Sequence, residues 1–139
     1  MLRRILAVVA GLAVAVVLVV LIQKLGHSLY PPPEDLSQQD QEFITNYVAS
    51  LPWGPLAFVA ASYALATLGG GWVAAAIAGE NSMIYSGFVA LCVLGGAISA
   101  MIAIPHPTWF AATTVIGIAA GALVGASLAS HGGFNSRAV

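Results

Sequence analysis

The sequence predicts an all-α fold, a membrane four-helix bundle with a short extracytoplasmic amphipathic helix. Three observations lead there. Of 139 residues, 60% are hydrophobic and only 6% are charged, whereas a soluble domain holds roughly 25% charged residues. So few charges cannot cover a water-facing surface, and lipid is the solvent for most of the chain. Four apolar runs follow one another, each close to the roughly 20 residues that cross a hydrocarbon core. Proline- and glycine-bearing stretches then separate these runs, marking turns between helices. The expected organisation is a single transmembrane domain over 1–139, with spans at about 5–25, 52–78, 83–104 and 108–130 and a polar segment at 26–51.

Span one follows Arg3 and Arg4. A basic start and an apolar run also describe a signal peptide. The run is long, however, and no A-x-A cleavage site follows it, since Gly26 and Ser28 flank the bulky His27. A retained signal-anchor helix is therefore expected. Its many valines are poor helix formers in water, but in lipid every backbone group must be satisfied within the helix, which outweighs that preference. Gln23 and Lys24 mark the exit, where lysine can reach the headgroups. Tyr30 and Pro31-Pro32-Pro33 stop the helix, because proline lacks the amide donor. Beyond them, Ser37 with Asp40 resembles a capping box, and Phe43, Ile44, Tyr47, Val48 and Leu51 recur at helical spacing. This predicts an amphipathic helix over 37–51.

Span two opens on Pro52, Trp53 and Pro55, which suit a first turn at an interface. It carries Ser62, Tyr63, Thr67 and Gly69-Gly70-Gly71. Gly79-Glu80-Asn81-Ser82 turns into span three, Pro105-His106-Pro107 turns into span four, and 131–139 is a polar tail expected to fray. Basic residues near the ends set orientation. With the N-terminus in the cytoplasm, Arg3, Arg4 and Arg137 lie inside. Lys24 and the acidic Glu34, Asp35, Asp40 and Glu42 lie outside, so both termini are predicted to be cytoplasmic.

Small residues four apart form the clearest motif. Gly11 stands in span one, Gly70, Gly71 and Ala75 in span two, Gly96 in span three, and Gly117, Gly121 and Gly125 in span four. Small side chains let helix backbones approach closely, and in lipid that packing drives association. These faces can close one bundle or join it to a second copy or another membrane protein. The spans contain no Asp, Glu, Lys or Arg at their centres, which argues against an ion-coupled transporter. Their hydroxyls, with Tyr63 and Thr67 as the candidate polar site, can bond to helix backbone or face a neutral solute. His27 and His106 both fall where an outward-running span ends. Two imidazoles at one interface suggest a metal or lipid-headgroup site, although two ligands do not make a zinc site and a carboxylate from Glu34 or Asp35 would have to join them. Cys92 is the single cysteine and excludes an internal disulfide. A net charge of −1 gives no nucleic-acid footprint. No G-x-S-x-G, H-E-x-x-H, C-x-x-C or phosphate-binding loop occurs, so neither enzymatic activity nor a cofactor is expected.

Gly-His-x-x-Tyr-Pro-Pro-Pro at 26–33, Leu51-Pro52, the Gly-Gly-Gly-x-Val-Ala run at 69–74 and Ile-Pro-His-Pro at 104–107 resemble a group of small, uncharacterised bacterial four-span membrane proteins. The resemblance spans most of the chain and implies a multi-pass protein of the bacterial inner membrane. It brings no activity. The expected function is a structural or accessory subunit acting by helix packing with itself or a partner. The alternatives are a small channel or carrier for a neutral or apolar solute, and an outer-face metal- or lipid-binding protein using His27 and His106.

Overall fold

The structure, a computed structural model, describes residues 1–132. Arg137, one of the residues used to assign orientation, lies outside the described residues. The helices are α1 (Leu2–Leu29), α2 (Gln41–Ser50), α3 (Trp53–Ala78), α4 (Ser82–Ala103) and α5 (Thr108–His131), with a short 3-10 turn at Leu36–Gln38. No strand occurs among the described residues. α1, α3, α4 and α5 are long and apolar enough to cross a membrane. Even the shortest, α4 with 22 residues, extends about 33 Å at about 1.5 Å per residue, enough for a core of about 30 Å.

The helix ends follow local chemistry. α1 runs to Leu29, one residue short of the Tyr30 cap that precedes the triproline segment, with the Tyr30 amide bonded to Gly26 O at 2.8 Å. His27 is therefore within its final turn. α3 stops at Gly79, which takes the left-handed conformation (φ 72°) that glycine adopts without steric cost. The start of α2 differs from expectation. Ser37 sits in the 3-10 turn, and Asp40 caps the helix, its Oδ1 accepting from the Phe43 amide at 2.8 Å. The residue three past the cap is Phe43, which cannot return the bond, so only half of a capping box forms.

α3 is the hub. It packs against α1, α4 and α5, while α4 also touches α1 and α5. The interior is made mostly of small residues, with Leu56, Val89, Phe110 and Ile118 among the larger exceptions. Ala15, Ala66, Ala74 and Val89 form one cluster near mid-bundle. Large apolar side chains point outward: Leu91 is 68% and Ile102 is 78% exposed, while Ala66 and Ala97 are fully buried. This inverts the order of a water-soluble core. It follows from the solvent: lipid gives leucine no reason to hide, and close backbone approach holds the helices together.

The two ends of the bundle differ. At one, α2 folds across the helices and buries Val48 with Leu56, Ala60 and Phe110. Gln41 Nε2 donates to Ala103 O at 2.7 Å and fastens α2 to the end of α4. At the other, Arg3 Nε donates to Ile77 O at 2.6 Å and so satisfies a carbonyl in the last turn of α3. Arg4 there pairs with Glu80 at 2.6 Å. Both arginines thereby fix the start of α1 to the α3–α4 turn.

Candidate functional site

The small residues divide into two sets. At Gly11, an added Cβ would lie 2.6 Å from both Gly70 O and Ala74 Cβ. At Gly121 it would lie 2.5 Å from Ala64 O, and at Gly125 2.7 Å from Leu68 O. Gly117 would meet Ala64 Cβ at 3.1 Å, Gly71 faces Ser86 Oγ, and Ala75 is buried. Seven of the eight small positions singled out in the sequence thus lie within the α1–α3–α4–α5 bundle itself. Gly96 does not. A Cβ there, or at neighbouring Gly95, meets nothing within 4 Å. α4 turns Ser86, Val89 and Ala97 inward and leaves Cys92, Gly95, Gly96 and Ser99 exposed.

The hydroxyls are mostly occupied. Ser62 Oγ donates to Val59 O at 2.6 Å and Thr67 Oγ1 to Tyr63 O at 2.8 Å. Neither keeps a proton free for a passing solute. Ser86 Oγ crosses from α4 to Ala122 O on α5 at 2.8 Å, fully buried. A serine near a span end carries no spacing signal of its own, so nothing in the sequence singles it out. Thr114 Oγ1 is buried without a partner.

At the α2 end lies a cleft of about 170 Å³ bordered by both His27 and His106, together with Gln23, Tyr30, Tyr47 and apolar residues such as Leu56 and Phe58. α1 supplies Gln23, Gly26, His27 and Tyr30 from one face, because steps of three and four return to the same side of a helix. α2 supplies Tyr47 and Val48 by folding over the bundle, and the α4–α5 turn supplies His106. His106 is held on two sides. Its Nδ1 lies 2.5 Å from Ile104 O, and its ring stacks on Phe110 with centroids 4.6 Å apart and planes 20° off parallel. A carbonyl only accepts, so Nδ1 carries a proton and Nε2 is the ring nitrogen left for another partner. Gln23 is oriented likewise: its Nε2 donates one hydrogen to Ser62 Oγ at 3.2 Å, which leaves the second amide hydrogen to donate and Oε1 to accept. Tyr30 is steadied edge-on by Phe58, with centroids 6.1 Å apart.

No Asp, Glu, Lys or Arg borders this cleft. Pro32 and Leu36 do fold back to line it, but the intervening Glu34 and Asp35 are not among its lining residues. Among the described residues no three His, Cys, Asp or Glu side chains converge as a metal set. Tyr63 and Thr67 are not part of the cleft. Thr67 is buried against its own helix, and Tyr63 borders a separate apolar groove of about 390 Å³ between α1 and α4. Of the four candidate polar residues, the fold brings together His27 and His106 alone. Gln23, Tyr30 and Tyr47 complete the site. Gln23 marks a span exit in the sequence, and only the docking of α2 reveals it as a lining residue.

No protein-family model, curated protein or solved structure matches the chain.

Proposed function

We propose that the chain is a non-enzymatic, multi-pass protein of the bacterial inner membrane, a structural or accessory subunit that works by packing with itself or with a membrane partner. In this reading both termini face the cytoplasm and α2 lies outside. The excess of arginine at the Arg3–Arg4 end supports that orientation, and the motif resemblance supports the bacterial setting. One observation carries the packing role. The α4 face with exposed Cys92, Gly95, Gly96 and Ser99 has open space where side chains would stand. In lipid, small residues gather where helices meet, and no helix among the described residues covers that face. Replacing Gly95 and Ser99 with leucine should convert an oligomer or complex into the free chain on native gels while the helical spectrum is kept. An unchanged assembly profile in that variant would refute the role.

A second reading is favoured by the cleft. Two histidines distant in sequence border one cavity, the arrangement expected of an amphiphile-binding site at the membrane surface. Under this reading the protein binds a small lipid-soluble molecule there, with or without an assembled partner.

A further inference from the structure

We infer that the Arg3 end of the bundle carries a site for one phospholipid with a net negative headgroup, its phosphate held by Arg3 and its acyl chain laid along α3. The site lies at the opposite end of the molecule from the His27–His106 cleft, and it depends on neither reading of function given above. It requires only that the four apolar helices sit in a bilayer.

Charge comes first. Arg3, Arg4 and Glu80 meet at the α3–α4 turn. Glu80 is taken by Arg4, whose Nε and Nη2 both donate to Oε1, at 3.0 and 2.6 Å. Arg3 has no carboxylate partner among the described residues. It is nevertheless held in place. Its Nε donates to Ile77 O at 2.6 Å, and its guanidinium lies across Gly79, where an added Cβ would stand 3.2 Å from Cζ. A guanidinium has several N–H donors in a planar fork. Capping α3 uses Nε alone, and Nη1 and Nη2 bond to no acceptor among the described residues. The fork left over fits two oxygens of one phosphate.

The groove comes next. Arg3 borders a shallow groove of about 390 Å³ whose other lining residues are Trp72, Val73, Ala76 and Ile77, all apolar and all on α3. Gly70 and Ala74 of α3 face α1, and Leu68 faces α5. The four groove residues fall between those two contact lines on the helix surface, and each is exposed or half-buried. One cation at the mouth of an apolar strip matches an amphiphile with one negative charge and a hydrocarbon chain. A zwitterionic headgroup would bring its ammonium to a turn whose carboxylate, Glu80, is already paired. A free anion would leave the apolar strip bare. Trp72 stands about 7.5 Å deeper than Ile77 at about 1.5 Å per residue, and the boundary between headgroups and chains is where tryptophan collects. In the orientation proposed above this is the cytoplasmic leaflet, whose anionic lipids attract basic residues.

The test uses Trp72 as a fluorescent reporter in the full chain. Trp53 and Trp109, in the first turns of α3 and α5 at the other end, are changed to phenylalanine. The chain is placed in phosphatidylcholine vesicles containing a rising share of phosphatidylglycerol, with bromines on the chains of one lipid or the other to quench Trp72. Phosphatidylglycerol should be preferred beside Trp72 by about fivefold, the usual effect of one basic residue at an anionic surface. This comparison leaves the site unaltered. Arg3→Gln should abolish the preference. Arg4→Gln with Glu80→Gln removes a neutral pair, keeps the local charge and should leave the preference intact. Ala76→Phe denies the chain its groove and should reduce the preference to below about twofold by lifting the phosphate off Arg3. Equal quenching by the two lipids, or a preference that survives Arg3→Gln, would overturn the proposal. So would a preference lost equally in the Arg4 and Glu80 double variant, which would assign it to the turn as a whole. Soluble glycerol phosphate in excess should not relieve quenching by the brominated phosphatidylglycerol. If it does, Arg3 takes free phosphate and the lipid assignment fails. If neither brominated lipid quenches Trp72, protein covers the groove and the proposal fails.

Discussion

At Gly121 a methyl group has no room: the carbonyl of Ala64 stands 2.5 Å from where it would sit. Backbone cannot swing aside as a side-chain tip can. Gly121→Ala is therefore expected to destabilise the bundle by about 1–3 kcal/mol, the usual cost of overpacking, measured by denaturation in mixed detergent. Gly96→Ala is the control, since its methyl meets nothing within 4 Å. It should stay within about 0.5 kcal/mol of wild type. Thr114 offers the opposite sign. Its buried hydroxyl has no partner, so Thr114→Val removes an unsatisfied group of nearly the same shape and should stabilise by about 1 kcal/mol. These contrasts were not legible in the sequence. Gly96 and Gly121 carry the same small-residue signature, and only the rotation of α4 against its neighbours tells the buried glycine from the exposed one.

At the scale of the element, α2 and the turn before α5 shape the cleft. Phe110 is 1% exposed and supports both the His106 ring and the Val48 cluster. Phe110→Ala should cost about 3–5 kcal/mol and release His106 from its stack, which a shift of the His106 ring resonances in nuclear magnetic resonance would report. Asp40→Ala should loosen α2 by about 1 kcal/mol through the lost cap, seen as faster amide exchange at Phe43. The sequence announced the ends of these elements through proline and glycine: the triproline stop after α1, Gly79 after α3, Pro107 before α5. It was less clear on α2, where Ser37 and Asp40 resemble one capping box led by the serine, and the aspartate is instead the cap. That His27 and His106 border one cleft could be anticipated from two spans running the same way. The share of Gln23, Tyr30 and Tyr47 in the same cleft could not, because it depends on α2 lying back over the bundle rather than on any spacing along the chain.

For the whole molecule, the decisive feature is that most buried residues are small and most large apolar ones face outward. That order is stable only in lipid. Composition made it foreseeable, since a chain with 6% charge has no other solvent. Partner choice was not foreseeable, because every span carries small residues and a pattern shared by all spans cannot say which face is left over. The fold answers in part: α1, α3 and α5 turn theirs into the bundle, and α4 keeps Cys92, Gly95, Gly96 and Ser99 outside. The single cysteine stands on that face and makes it addressable without mutation. The direct measurement is to load Cys92 in native membranes with a maleimide–diazirine crosslinker and irradiate. The packing account predicts a discrete protein adduct, either a covalent dimer or one defined larger species, that disappears when Gly95 and Ser99 are both leucine. Adducts to lipid alone, with every copy of the chain remaining monomeric, would contradict it.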